Sequence, residues 1–306
     1  MPFTDIYRKQ VELLVQTLPQ VAEETCFALK GGTAINLFVR DMPRLSVDID
    51  LTYLPIADRD HSLADIDAAL KRIGGRINRL HPRYSITESA PETQTTINKL
   101  IVRTPHLVQI KIEVTPVLRG CVYDPETMVI VEKAEEQFGF AEIQVLSFAD
   151  LYAGKIMAAL DRQHPRDLFD VHELLINEGV EPELMNALVI YLVSHDHAPD
   201  KLLAPKEKNI GHEYQTGFAG MTEQEVPLES LTAARQTLIE EVQAGLTESH
   251  KKFLLSFYLR QPDWSLLPLE GVDRLPAVKW RQLNLDRAGP ETRRAIANSL
   301  EKMFYK

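Results

Sequence analysis

From residue 5 to 24, Ile6, Val11, Leu13, Leu14, Leu18 and Val21 recur among polar residues at helical spacing, which predicts an amphipathic helix. Phe27-Ala28-Leu29 is a short apolar run closed by Gly31-Gly32 and predicts a strand; Thr33 to Val39 predicts a helix. The period then changes. Val47, Ile49 and Leu51 alternate with Ser46, Asp48 and Asp50, so Ser46 to Leu51 predicts a strand with one apolar and one acidic face. Helical spacing returns over 62–80, although Gly74-Gly75 is expected to weaken it there. Strands are predicted at 84–89, 96–104 and 107–115. The last sets Val108, Ile110, Ile112 and Val114 against Gln109, Lys111 and Glu113.

After residue 146 the strand signal nearly stops. Ser147 with Asp150 resembles a capping box opening a helix to about Leu160, and Pro165 suits the first turn of a helix to Leu175. Ala153, Ile156, Met157 and Leu160 make the expected packed face of the first, with Tyr152, Lys155 and Arg162 on another. Further helices are predicted at 182–194, 228–245, 247–259 and 290–304. The stretch 196–227, with Pro199, Pro205, Gly211, Gly217 and Gly220, predicts a long mobile loop. The pattern is a mixed α/β N-terminal domain followed by an α-helical one.

A chain of 306 residues suits two domains. An apolar fraction of 44% and a charged fraction of 25% are those of a globular protein. No apolar run reaches the roughly 18 residues that span a bilayer. Met1 to Asp5 lacks the form of a signal peptide, and Cys26 and Cys121 are too few for a metal cluster. Reduced thiols and a cytoplasmic location are expected. The net charge is −10, but residues 1–120 hold 15 Lys and Arg against 14 Asp and Glu. The acidity lies in the remainder, where 19 basic residues face 30 acidic ones.

Asp48 and Asp50 are two apart on a strand, so their carboxylates share a face and could hold a hard cation between them. The same pattern also suits a solvated strand edge. Glu113 adds a third carboxylate on a second alternating strand, the number that a two-metal phosphoryl-transfer site uses. Gly31-Gly32-Thr33 stands between a strand and a helix, where glycines and free N–H groups admit phosphates, or simply make a turn. Lys155 lies on its helix either to reach a triphosphate or as a solvated lysine. Asp167 and Asp170 share a face and suit ion pairs with Lys155 or the arginines, or the helix dipole. Arg72, Arg76, Arg79 and Arg83, beside Lys71, share a helical face that suits RNA phosphates or balances acidic neighbours.

Leu29-Lys30-Gly31-Gly32-Thr33-Ala34 followed by Arg44-Leu45-Ser46-Val47-Asp48-Ile49-Asp50-Leu51 resembles the first motif of the AbiEii/AbiGii toxin family. These are MenT-like nucleotidyltransferases of the polymerase-beta-like superfamily. The likeness continues through Lys111-Ile112-Glu113-Val114, Asp150 to Ile156, Arg162, and Arg166-Asp167-Leu168-Phe169-Asp170. It ends at Leu275 to Trp280 with Asn284-Leu285, and so runs in order from about residue 27 to 285.

The resemblance implies transfer of a nucleoside monophosphate from an NTP, with Mg2+ or Mn2+, by a catalytic domain of residues 1–178 preceding a helical domain of 179–306. It implies metal ligation by Asp48 and Asp50, with Glu113 as a third ligand. It implies triphosphate contacts from Gly31, Gly32, Thr33, Arg44, Ser46 and Lys155, and an acid at Asp167 or Asp170. The implied acceptor is the 3′ end of tRNA, and the implied role is that of a phage-defence toxin with a cognate antitoxin. A protein hydroxyl or an aminoglycoside-like small molecule is the alternative acceptor.

Overall fold

The computed structural model describes residues 4–92 and 95–305. The chain divides into two compact units. The first comprises the described residues up to Ser147 together with Ala219–Glu225; the second comprises Phe148–Phe218 and Val226 onward.

The first unit runs α1 (Asp5–Ala22), β1 (Phe27–Lys30), α2 (Gly31–Ala34, continuing as a π-helical turn over Ile35–Val39), β2 (Asp48–Tyr53) and α3 (Arg59–Leu80). It continues through β3 (Ser85–Ser89), β4 (Lys99–Arg103), β5 (Gln109–Val114), β6 (Glu126–Val129), α4 (Glu132–Phe138) and β7 (Glu142–Val145). The strands form one mixed seven-stranded sheet in the order β3-β4-β5-β2-β1-β7-β6. The period-two patterns settle its faces. Ile49, Leu51, Leu100, Val102, Ile110, Ile112 and Val114 are buried, and α1 and α3 pack against these strands. Asp48, Asp50, Lys111 and Glu113 alternate with them and stay partly open.

The helix α3 runs unbroken through Gly74-Gly75. Its buried Leu63, Ile66, Leu70, Ile73 and Ile77 hold it on the sheet, so tertiary packing outweighs the weak glycine propensity. Two strands and a helix between 126 and 145 carry no sequence signal of their own. At four residues, β6 and β7 are too short for their alternation to register, yet β7 lies parallel to β1 through Leu29 and Val145.

The second unit contains α5 (Phe148–Asp161), α6 (Pro165–Asn177), α7 (Pro182–Ser194), α8 (Pro199–Leu203), α9 (Gly211–Gly217), α10 (Leu228–Gly245), α11 (Glu248–Tyr258) and α12 (Pro276–Phe304). Caps begin several of them. His164 accepts the Arg166 N–H before Pro165, and Thr247 with His250 forms a capping box.

Three expectations change here. First, α5 is not amphipathic: Ala149 to Leu160 are buried nearly all round, and Tyr152 and Lys155 are buried with them. Second, 196–227 is not a plain loop. It carries α8 and α9 and buries Leu202, Leu203, Ile210 and Phe218. Third, the last helix begins at Pro276, well before 290. Gly289, at φ 85° and ψ 169°, breaks it ahead of Pro290, and only the part beyond the break was expected.

Candidate active site

Each unit carries its own group of candidate residues. In the first unit β1 is antiparallel to β2, and β2 is parallel to β5. The register places Lys30 opposite Asp50 and Asp50 opposite Glu113, and the β4–β5 pairing adds Lys99 opposite Glu113. Lys30, Asp50, Glu113 and Lys99 therefore form one row across four strands, at about 4.8 Å per step. One step along, Asp48 lies opposite Lys111.

The row sets two adjacent carboxylates between two lysines, and neighbouring lysines pair with the acids. Lys111 Nζ lies 3.4 Å from Asp48 Oδ1, and Lys99 Nζ lies 3.3 Å from Glu113 Oε2. Lys30 Nζ donates to Thr115 Oγ1 at 2.8 Å. Burial holds the Lys30 ammonium below the usual lysine range, against the opposing pull of Asp50 and Glu113.

The Gly-Gly-Thr turn closes directly on this face. Gly31 has φ 74°, in the region that favours glycine, and a Cβ there would lie 2.8 Å from Asp50 Oδ2. A Cβ on Gly32 would lie 2.6 Å from a terminal nitrogen of Arg44 and 2.9 Å from Ser46 Oγ. Thr33 Oγ1 lies 3.0 Å from Ser46 Oγ and donates to the Asp48 carbonyl at 2.5 Å. Arg44 is buried and donates to the Leu45 carbonyl. So Gly31, Gly32, Thr33, Arg44 and Ser46, expected to touch the triphosphate, are gathered around the two aspartates. Ala219–Glu225 supports the same region: Leu45 N–H donates to the Met221 carbonyl at 2.8 Å, and Arg44 bridges Thr222.

A divalent metal fits part of this donor set. Asp48 and Asp50 offer hard oxygens on one face, and magnesium is usually held by one or two carboxylates plus substrate phosphates. Among the described residues no three of His, Cys, Asp and Glu are gathered closely enough to hold an ion. Glu113 is turned to Lys99.

In the second unit, Lys155 on α5 meets two acids on α6. Its Nζ lies 2.9 Å from Asp167 Oδ1 and 2.9 Å from Asp170 Oδ2. Arg162 grips Asp167 with two bonds, Nε to Oδ2 at 2.5 Å and a terminal nitrogen to Oδ1 at 2.9 Å. Burial pushes the Asp167 carboxyl up, but Lys155 and Arg162 outweigh it and hold the group far below the usual range. Lys155 is thus buried between its two acids rather than extended into solvent. Tyr191 on α7 donates to Asp150 Oδ1, a buried acid that the sequence placed in a capping box and not in the site. Lys30 was likewise passed over; its place at the strand end, one residue before the Gly-Gly turn, was the available signal.

The basic residues on α3 are engaged locally. Arg72 and Arg76 bind the buried Glu24 at 2.7 and 2.8 Å, Arg76 also donates to the Gln20 carbonyl, and Lys71 pairs with Asp67. Arg79 and Arg83 are exposed. Cys26 and Cys121 form no disulfide, and burial pushes the Cys26 thiol up to about 11, so it stays protonated at neutral pH.

A Gly-Gly-Thr turn seated on an Asp-x-Asp strand, in a mixed sheet followed by helices, defines a nucleotidyltransferase. The fold is similar to that of MenT4, a nucleotidyltransferase toxin from Mycobacterium tuberculosis H37Rv, at a TM-score of 0.55 and 14% identity over 97% of this chain and 93% of that one. Terminal uridylyl transferase 4 from Trypanosoma brucei aligns more loosely. With GTP bound the TM-score is 0.26 at 11% identity over 86% of this chain and 68% of that one. With dUTP bound the TM-score is 0.29 at 12% identity, over 98% and 96%. No curated protein matches in sequence. The profile of the nucleotidyl transferase AbiEii toxin family, of type IV toxin–antitoxin systems, matches residues 12–280. The chain belongs to that family, which implies an NTP substrate and an antitoxin partner. Among the described residues no helix is long and apolar enough to cross a membrane.

Proposed function

We propose that this toxin transfers a nucleoside monophosphate from an NTP to the 3′ end of tRNA in the cytoplasm, as a phage-defence enzyme. The observation that carries the reading is the seating of Gly31 and Gly32 against Asp50, Arg44 and Ser46. Phosphates admitted by the turn lie beside the carboxylates that would neutralise them through a cation.

Asp48 and Asp50 hold Mg2+ or Mn2+ when the NTP is bound. A metal held there would supply charge neutralisation of the triphosphate and Lewis-acid activation of the acceptor hydroxyl. Thr33 and Ser46 orient phosphate oxygens from their linked hydroxyls, and Arg44 stiffens the turn. The acceptor oxygen bonds to the α-phosphorus while the α–β bridging oxygen leaves with pyrophosphate; the hydroxyl proton passes to a carboxylate of the sheet face. The family resemblance gives Lys155 to the triphosphate, and the ion pairs with Asp167 and Asp170 fix the position of its ammonium. Residues 1–178 then form the catalytic portion by role and 179–306 the helical portion, although compact packing divides at Ser147.

The test is incubation with each of four α-labelled NTPs, magnesium and total cellular RNA or protein. Label in tRNA is the expected result. Label in protein, or in neither, overturns the acceptor assignment.

A further inference from the structure

The start of the last helix is rich in basic residues within an acidic part of the chain. Residues 274–294 hold six Lys and Arg against two Asp and Glu. Between the end of α11 and the middle of α12 lies a cavity of about 160 Å³, lined by Phe257, Leu285, Gln282, Arg260, Asp286 and Arg293. Both arginines converge on a single carboxylate oxygen. Arg260 Nε lies 3.1 Å and a terminal nitrogen of Arg293 2.7 Å from Asp286 Oδ1. One carboxylate cannot neutralise two guanidiniums, and each guanidinium has five N–H donors. The cavity therefore keeps a net positive charge and spare donors.

The backbone at Arg260 is unusual. It follows α11 with φ 70°, a left-handed conformation that glycine commonly fills at helix ends. An arginine in that place carries strain that a glycine would not. The neighbouring face of α12 adds an aromatic platform: Trp280 is exposed, and the Arg287 guanidinium lies 5.9 Å from its ring centre. Trp280 and Asp286 are about 9 Å apart along the helix axis, near enough for one polynucleotide strand to reach both. Converging arginines beside an exposed indole are what a single-stranded nucleic acid uses, the charges holding phosphates and the ring stacking a base. On α3, by contrast, Arg72 and Arg76 are already bound to Glu24.

We propose that the α11–α12 corner is a binding site for the phosphate backbone of the polynucleotide acceptor. Arg260 and Arg293 hold one phosphodiester in the cavity, Trp280 stacks a nearby base, and Asp286 competes with the phosphate. This rests on the reading that the acceptor is RNA.

The test is binding of fluorescently labelled tRNA by the full chain across a salt series, with thermal melting as the folding control. Arg260→Gly should weaken binding roughly tenfold at low salt and reduce the slope of log affinity against log salt by about 0.7–0.9, one phosphate contact. It should not lower the melting temperature, because glycine relieves the left-handed backbone. Trp280→Ala should also weaken binding, whereas Asp286→Asn should tighten it several-fold. Unchanged affinity in both Arg260→Gly and Asp286→Asn overturns the site, as does competition by polyglutamate equal to that of unlabelled RNA. If the wild type labels tRNA while these variants bind it normally, only the footprint falls and the proposed reaction stands. If the wild type neither labels nor binds RNA, both fall.

Discussion

Asp48 and Asp50 owe their placement to Ile49, which is fully buried between them and fixes which way the strand faces. Asp48→Ala and Asp50→Ala are each expected to abolish nucleotide transfer with little change in melting temperature, because both side chains stand on a partly open face. Near-wild-type transfer by a folded Asp48→Ala protein would remove the metal assignment. Gly31→Ala makes a sharper point. The left-handed backbone costs an L residue roughly 1–2 kcal/mol, and the new methyl would press on Asp50 Oδ2 at 2.8 Å. Transfer should fall much further than stability, a comparison of turnover with urea unfolding. Lys155→Ala should do the reverse of what a surface lysine would do. It removes the ammonium shared by Asp167 and Asp170, both 1% exposed, and removing one member of a buried ion pair costs about 3–5 kcal/mol. Urea unfolding should show that loss before any effect on NTP use is measured. Since the Asp167 carboxyl lies below its ordinary value of 3.8 in the folded protein, its stabilising contribution is complete above that pH. It is lost as the pH falls below it. The wild type should therefore show no loss from this group between neutral pH and pH 5.

At the level of elements, α1 and α3 are clamped through Glu24, which receives Arg72 and Arg76. Burial alone would raise the Glu24 carboxyl, but the two arginines bring it below its usual range. Glu24→Ala is expected to cost about 1.5–3 kcal/mol, the worth of hydrogen bonds to charged groups, measured by chemical denaturation. An unchanged unfolding midpoint would mean the clamp is ornamental to stability. The same pairs explain what was and was not legible beforehand. The alternation of Val47, Ile49 and Leu51 with Ser46, Asp48 and Asp50 revealed both the strand and its acidic face, and Glu113 followed from the pattern on β5. The ion pair between Lys155 and Asp167 or Asp170 was one of the arrangements that their spacing allowed. The burial of Lys155 was hidden, because a lysine in a helix reads as polar whatever packs around it. Partners far apart in sequence were equally hidden: nothing near Arg72 or Arg76 points to Glu24. Four-residue strands such as β7 gain their identity only from a neighbour, here β1.

Over the whole molecule, the first unit is completed by a segment that arrives late in the chain. Met221 is 1% exposed, and its carbonyl accepts the Leu45 N–H beside the Arg44–Ser46 stretch. Met221→Asp buries a carboxylate, a mechanism that commonly costs about 3 kcal/mol or more when the charge is unpaired. It should speed hydrogen exchange at the Leu45 amide and lower transfer, although residue 221 lies far from the motifs in sequence. Undisturbed protection at Leu45 would show that the segment is not needed there.

That late segment also sets a schedule for the ribosome. A nascent chain that has reached Ser147 has every strand of the sheet and both aspartates, yet lacks the piece that accepts the Leu45 amide. The 78 residues from 148 to 225 take about 4–16 s to synthesise at 5–20 residues per second. During that interval the reactive turn is without its support, so a translating ribosome carries an immature toxin until roughly three-quarters of the polypeptide has been made.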